Sequence, residues 1–259
     1  MASSLHHENR IKKISIFTRL KNFLHRVWSG LLRRFGIRDT RCMSTVTWRI
    51  ECDATVFDRI KDEVTFHQIL ALARAVNSLQ FVIFAFRPDA QDTSPATTCS
   101  RINSFLFGSA ILYEGLLLVE SMNRQFGSNE VFNRGLHTLL GDPTALRLRK
   151  YHMNPVRNRA VFHFDSVEFG KIMQNTAVED VCEFLTGRGN SSEQSRYPFA
   201  DVLATQILMG RVGNDEEFYE GLGSVMSDTR DLATSFVGFA HKLILTSLQK
   251  WGFVCRALP

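Results

Sequence analysis

Arg157, Asn158 and His163 fall within Val156-Arg157-Asn158-Arg159-Ala160-Val161-Phe162-His163-Phe164-Asp165, a stretch that follows Pro155. These side chains suit chemistry at a phosphodiester. Cleavage of RNA by its own 2′-hydroxyl needs a base for that proton, an acid for the leaving 5′-oxygen, and positive charge on the pentavalent phosphorane. Histidine titrates near neutrality and serves either proton transfer. Arginine is no base, but its planar fork matches two phosphate oxygens and the charge developing there. Asn158 would position the ribose or orient His163, and Asp165 could fix the imidazole tautomer. On an α-helix, however, six residues leave Arg157 and His163 about 120° apart and roughly 9 Å apart along the axis. One copy therefore does not aim both groups neatly at one point.

A structural reading competes. Arg159 and His163, four apart, could simply be neighbours on an exposed helix face. Glu114 interrupts the apolar run Phe105–Val119, and a buried unpaired carboxylate is costly, so it needs a partner. Arg157, Arg101 and His163 are the candidates, and an Arg157–Glu114 ion pair would bridge two helices.

The Arg157–His163 spacing, with a polar residue after the arginine and aromatic flanks, resembles the R-x(4–6)-H motif of the HEPN superfamily (higher eukaryotes and prokaryotes nucleotide-binding domains). The RN…FH-D wording is similar to abortive-infection-like members. Arg74-Ala75-Val76-Asn77-Ser78 and Arg101…Tyr113-Glu114 look like the two earlier helices of such a bundle. The resemblance covers about residues 60–190. It implies an all-α helical bundle with additional C-terminal helices. It implies a metal-independent endoribonuclease of toxin–antitoxin or abortive-infection type, with RNA as substrate and no cofactor. It also implies a homodimer that assembles the site from two copies of the motif, with an antitoxin or regulatory protein as a further partner. Arg157, Asn158 and His163 then become the catalytic set, with Glu114, Asp165 and Arg101 in support. A second match, Arg147 with His152, has Leu148 where the motif takes a polar residue.

Helices must position these residues. Apolar spacing predicts one over 63–86, ended by Arg87-Pro88-Asp89. A loop over Asp89–Ser100 precedes a second helix, Arg101–Phe126. A third covers Glu130–Leu140, with Gly141 as a left-handed cap. Asp142-Pro143 starts a fourth. Asn154-Pro155 repeats that start signal for a short helix to about His163. Asp165-Ser166-Val167-Glu168 reads as a capping box opening a helix to about Leu185. Thr186–Pro198 reads as a loop. Phe218, Leu222, Val225, Thr229, Leu232, Phe236, Ala240, Leu243, Ser247 and Trp251 mark a long helix whose seam fits a neighbour or a second copy. Thr45–Cys52 is a weak strand candidate.

The 259 residues are 44% hydrophobic and 22% charged, with 6 prolines and 16 glycines. That balance excludes disulfide-rich miniature folds and wholesale disorder. Residues 1–42 carry 10 of the 31 Lys and Arg against Glu8 and Asp39, which leaves 43–259 with 21 basic and 24 acidic residues. The division is therefore a basic amphipathic leader over 1–42 and a single helical domain over 43–259, with a core at about 60–190 and long C-terminal helices over 198–252. Three readings of the leader stand: contact with a membrane surface or nucleic acid, organellar targeting, or translation beginning at Met43. Cys42, Cys52, Cys99, Cys182 and Cys255 form no CxxC pair, which favours reduced thiols and a cytoplasmic setting. The apolar runs Leu79–Phe86 and Phe105–Val119 are too short to span a bilayer. No HExxH, GxxxxGK[ST] or strand-following GxGxxG occurs, and no metal is expected. The mild acidity of 43–259 supports a different class of function, a non-catalytic module binding RNA, a nucleotide or a protein partner.

Overall fold

The apolar run Phe105–Val119 forms the middle of a 32-residue helix, Pro95–Phe126. Ile102, Leu106, Ala110, Leu112, Leu116, Val119 and Met122 along it are all buried. A helix apolar on nearly every side can be satisfied only by neighbours on nearly every side, and this one sits at the centre of the bundle. A narrow outward stripe remains, on which Phe107, Glu114, Leu117 and Glu120 reach solvent.

The computed structural model describes residues 48–85, 95–163, 165–174, 198–211, 213 and 216–257. The order is β1 (Trp48–Glu51), α1 (Ala54–Ile60), α2 (Val64–Ala85), α3 (Pro95–Phe126), α4 (Glu130–Leu140), α5 (Pro143–Leu148), α6 (Ser166–Gln174), α7 (Pro198–Met209), α8 (Glu216–Trp251) and β2 (Val254–Ala257). Between α5 and α6 run two π-helical segments, π1 (Arg149–Met153) and π2 (Val156–Val161). The fold is all-α, as expected, apart from the antiparallel ribbon pairing Trp48 with Ala257 and Glu51 with Val254. Around α3 pack α2, α4, α7, α8 and both π segments. The ribbon is reached through Gly252, whose φ of +98° turns the chain sharply after α8. Arg59 Nη2 donates to the Trp251 carbonyl at 3.0 Å nearby.

Several boundaries fall where the residues require them. Asn129 caps α4 by accepting from Phe132 N, and Asp142 caps α5 by accepting from Thr144 N and Ala145 N ahead of Pro143. Others differ from expectation. Pro95–Ser100 belongs to α3 rather than to a loop. Thr97, Thr98 and Cys99 are buried there, and a first-turn proline is compatible with helix. Gly141 is not left-handed: its φ is −93°, and its N–H still donates to His137 O at 2.9 Å. α3 itself is longer than the apolar run within it. By length and apolarity alone Thr97–Phe126 could cross a membrane, with a mean hydropathy of 1.6, and 50% of the apolar window is buried among the other helices. Residues 1–42, Met43, and the expected helix end and loop over 175–197 lie outside the described residues.

The seam of α8 is largely consumed within this chain. Phe218, Leu222, Val225, Thr229, Leu232, Phe236, Ala240, Leu243 and Ser247 are buried, facing α2, α3, α4 and α5. Of the two expectations for this seam, a neighbour or a second copy, neighbouring helices of the same chain fill these positions. Two rings set how closely the helices approach. An added Cβ at Gly115 would lie 2.6 Å from Phe236 Cζ, and one at Gly135 would lie 1.9 Å from Phe239 Cδ2. Gly115→Ala is expected to destabilise by about 1–3 kcal/mol through overpacking. Gly238→Ala, in α8 with nothing within 4 Å of the new Cβ, should stabilise by up to about 1 kcal/mol. Urea titration of both variants checks the pair.

Candidate functional site

The helix carrying Arg157 does not restart at Asn154-Pro155, contrary to the sequence expectation. Asn154 has φ −61° and ψ −48°, so the chain passes through it in helical geometry. A proline inside a helix lacks the N–H and presses on the carbonyl four residues back. Here the winding is wider: Asn154 N–H donates to Arg149 O, five residues back, and Phe162 N–H donates to Arg157 O at 3.2 Å. Such π turns are rare and recur at functional sites.

That winding decides what Arg157 touches. In an α-helix, residues five apart point about 140° away from each other. Across this π turn, Arg157 Cζ lies 5.9 Å from the centre of the Phe162 ring. Arg157 Nε donates to Glu114 Oε1 at 2.6 Å, and Nη1 donates to Asn158 Oδ1 at 2.5 Å. Asn158 Nδ2 donates in turn to Asn154 Oδ1. Among the described residues, Nη2 has no hydrogen-bond partner. The arginine is thus held by its inner edge while one end of its fork faces outward. The pair is part-exposed, at 33% for Arg157 and 43% for Glu114. A second bridge, Arg149 Nη2 to Glu120 Oε2 at 2.7 Å, repeats the arrangement farther along. Together the two bridges fix an antiparallel register between α3 and the π segments.

The other predicted residues fall into place less evenly. His163 lies just beyond π2 in an exposed bend, next to Phe162, and makes no hydrogen bond among the described residues. The α-helical arithmetic separating it from Arg157 therefore does not apply. Asn158 orients Arg157, not His163. Asp165 caps α6, its Oδ1 accepting from Val167 N at 2.9 Å and Glu168 N at 3.4 Å, and so does not hold the imidazole. Arg101 is buried thirteen residues before Glu114, about 20 Å away along α3, so it stands outside the cluster. Arg159 turns to Glu168 Oε2 at 2.9 Å rather than to His163. In the second sequence match, Arg147 pairs with Asp228 at 2.6 Å and His152 Nδ1–H donates to the Leu208 carbonyl at 2.9 Å. Both groups are engaged in packing α5 and π1 onto their neighbours. Sequence reasoning used Asn154 only as a helix start and Phe162 only as an aromatic flank of the motif, and gave neither a role in the site. The proline within a helical run was the available signal. No three His, Cys, Asp or Glu side chains gather into a metal-binding group among the described residues.

No protein-family model, no curated protein and no solved structure matches this chain. What the cluster can do therefore rests on its own chemistry.

The half-exposed Arg157–Glu114 pair is expected to contribute little to stability, as exposed bridges do. Arg157→Ala should cost under about 1 kcal/mol by chemical denaturation. A loss of about 3–5 kcal/mol would instead mark a buried structural bridge. Glu168 adds a pH-dependent contribution. A hydrogen bond from Lys171, with the Arg159 charge adding to it, holds its carboxyl below the ordinary 4.5. Stability from this group is complete above that ordinary value and is lost as pH falls through the depressed one. Glu168→Gln should accordingly narrow the difference between unfolding midpoints measured at neutral and acidic pH.

Proposed function

We propose that this protein is a metal-independent endoribonuclease of HEPN type, acting in the cytoplasm in phage defence or a toxin–antitoxin system. The observation that carries the reading is the held arginine: Glu114 and Asn158 fix Arg157 at Nε and Nη1, while Nη2 carries no hydrogen bond among the described residues and His163, six residues on, is exposed. A guanidinium so placed meets a phosphate at little reorganisation cost, which is where electrostatic catalysis is most effective.

In this mechanism the 2′-oxygen attacks phosphorus as one His163 takes its proton. Arg157 receives the charge growing on the non-bridging oxygens. A second proton donor returns a proton to the departing 5′-oxygen, leaving a 2′,3′-cyclic phosphate and a 5′-hydroxyl. One chain supplies one such histidine, so the second is assigned to His163 of a second copy, which makes a homodimer part of the proposal. An antitoxin or regulatory protein would bind over this surface.

The second reading is a non-catalytic helical module binding RNA, a nucleotide or a protein partner. The acid excess of residues 43–259 favours it, because nucleic-acid binders usually show a basic patch. The two readings separate in one assay. Under the nuclease reading, wild type cleaves total RNA in excess EDTA, while His163→Ala and Arg157→Ala each lose at least about a hundredfold in rate, the scale of a general acid–base or oxyanion contribution. Equal cleavage by wild type and His163→Ala would remove the residue from catalysis. Binding with no turnover would favour the module.

A further inference from the structure

We propose that Phe162 is a stacking platform for an unpaired base of the RNA, set beside the guanidinium that takes the neighbouring phosphate. The inference rests on the RNA reading above and adds to it a residue that would select unpaired over paired RNA.

Phe162 is 45% exposed although it follows Val156, Ala160 and Val161, which are buried. Arg157 lies over part of the ring, and the part left exposed offers apolar surface to a base, with stacking that is tolerant of sequence. Its place is also unusual. The π turn brings the ring to 5.9 Å from Arg157 Cζ, and the next residue is the exposed His163. A base lying on the exposed part of the ring therefore carries its own phosphate toward the guanidinium. The antiparallel register set by Glu114–Arg157 and Glu120–Arg149 continues toward Phe107 on α3, itself 40% exposed. It places a second apolar ring toward the same end of the helix pair. A paired base has both faces covered by its neighbours, so a duplex offers neither ring a partner. Selection for unpaired RNA follows from the exposed ring without any base-specific hydrogen bond.

The test uses the full chain and a short single-stranded RNA made uncleavable by 2′-O-methyl groups. Phe162→Trp should show fluorescence quenching on titration beyond that of the wild-type tryptophans. Phe162→Ala and Phe162→Leu should each bind about tenfold more weakly, the scale of one lost stacked base. A duplex of the same sequence should compete poorly. Phe162→Leu keeps apolar bulk but has no π face, so it stands if the alanine variant fails to fold. Unchanged affinity in Phe162→Leu overturns the proposal. So does a shifted sedimentation coefficient in that variant with unchanged RNA affinity, which would assign the ring to contact with a second copy. Cleavage is read separately with unmodified RNA. Quenching without cleavage sinks the nuclease reading and leaves stacking standing, whereas cleavage indifferent to Phe162 does the reverse.

Discussion

The Glu114–Arg157 contact is the interaction on which the site depends. Glu114 is the charged break in the apolar run Phe105–Val119 of the central helix, and its position on the outward stripe keeps the carboxylate partly hydrated. Partial hydration lowers the cost of holding a charge there, and the arginine removes most of what remains. The exchange is mutual. A free arginine side chain samples many rotamers, whereas this one is held at Nε and Nη1 with donors to spare. The same bridge ties the π segments to the central helix, so the local shape of the site and its charge come from one contact.

The second constraint is backbone winding. Pro155 cannot donate to a helical ladder, and its ring disfavours regular α geometry. The chain keeps its helical path by widening on both sides of that residue. The wider turn stacks Arg157 on Phe162 and releases His163 into a bend. Nothing in the cluster requires a buried charge. Such a site is cheap to fold, and its side chains are free to serve a ligand rather than the core.

Periodicity made most of the fold legible. Glu130–Leu140 matches the expected helix end to end, because its apolar face is clear; the Asn129 cap was not read from the sequence, and Gly141 ends the helix without the left-handed turn expected of it. The long C-terminal helix was equally plain, and its seam correctly marked a packed face. Which partner fills that face is not written in spacing alone, and here it is the same chain. Glu114 announced that it needed a cation but not which of three candidates would supply it. What stayed hidden depended on departures from regular geometry. A proline after asparagine reads as a helix start unless the preceding turns are already helical, and only tertiary packing decides that. The four-residue β2 strand carries too little pattern to be recognised. It exists because its partner, β1, lies across from it.

The most direct measurement is the chemical nature of the RNA ends left after incubation with the protein. Attack by the ribose 2′-oxygen under Arg157 and His163 predicts 2′,3′-cyclic phosphate and 5′-hydroxyl termini, with no product from an RNA carrying 2′-deoxy sugars. Ends bearing 3′-hydroxyl and 5′-phosphate, or cleavage that ignores the 2′-deoxy substitution, would contradict the account.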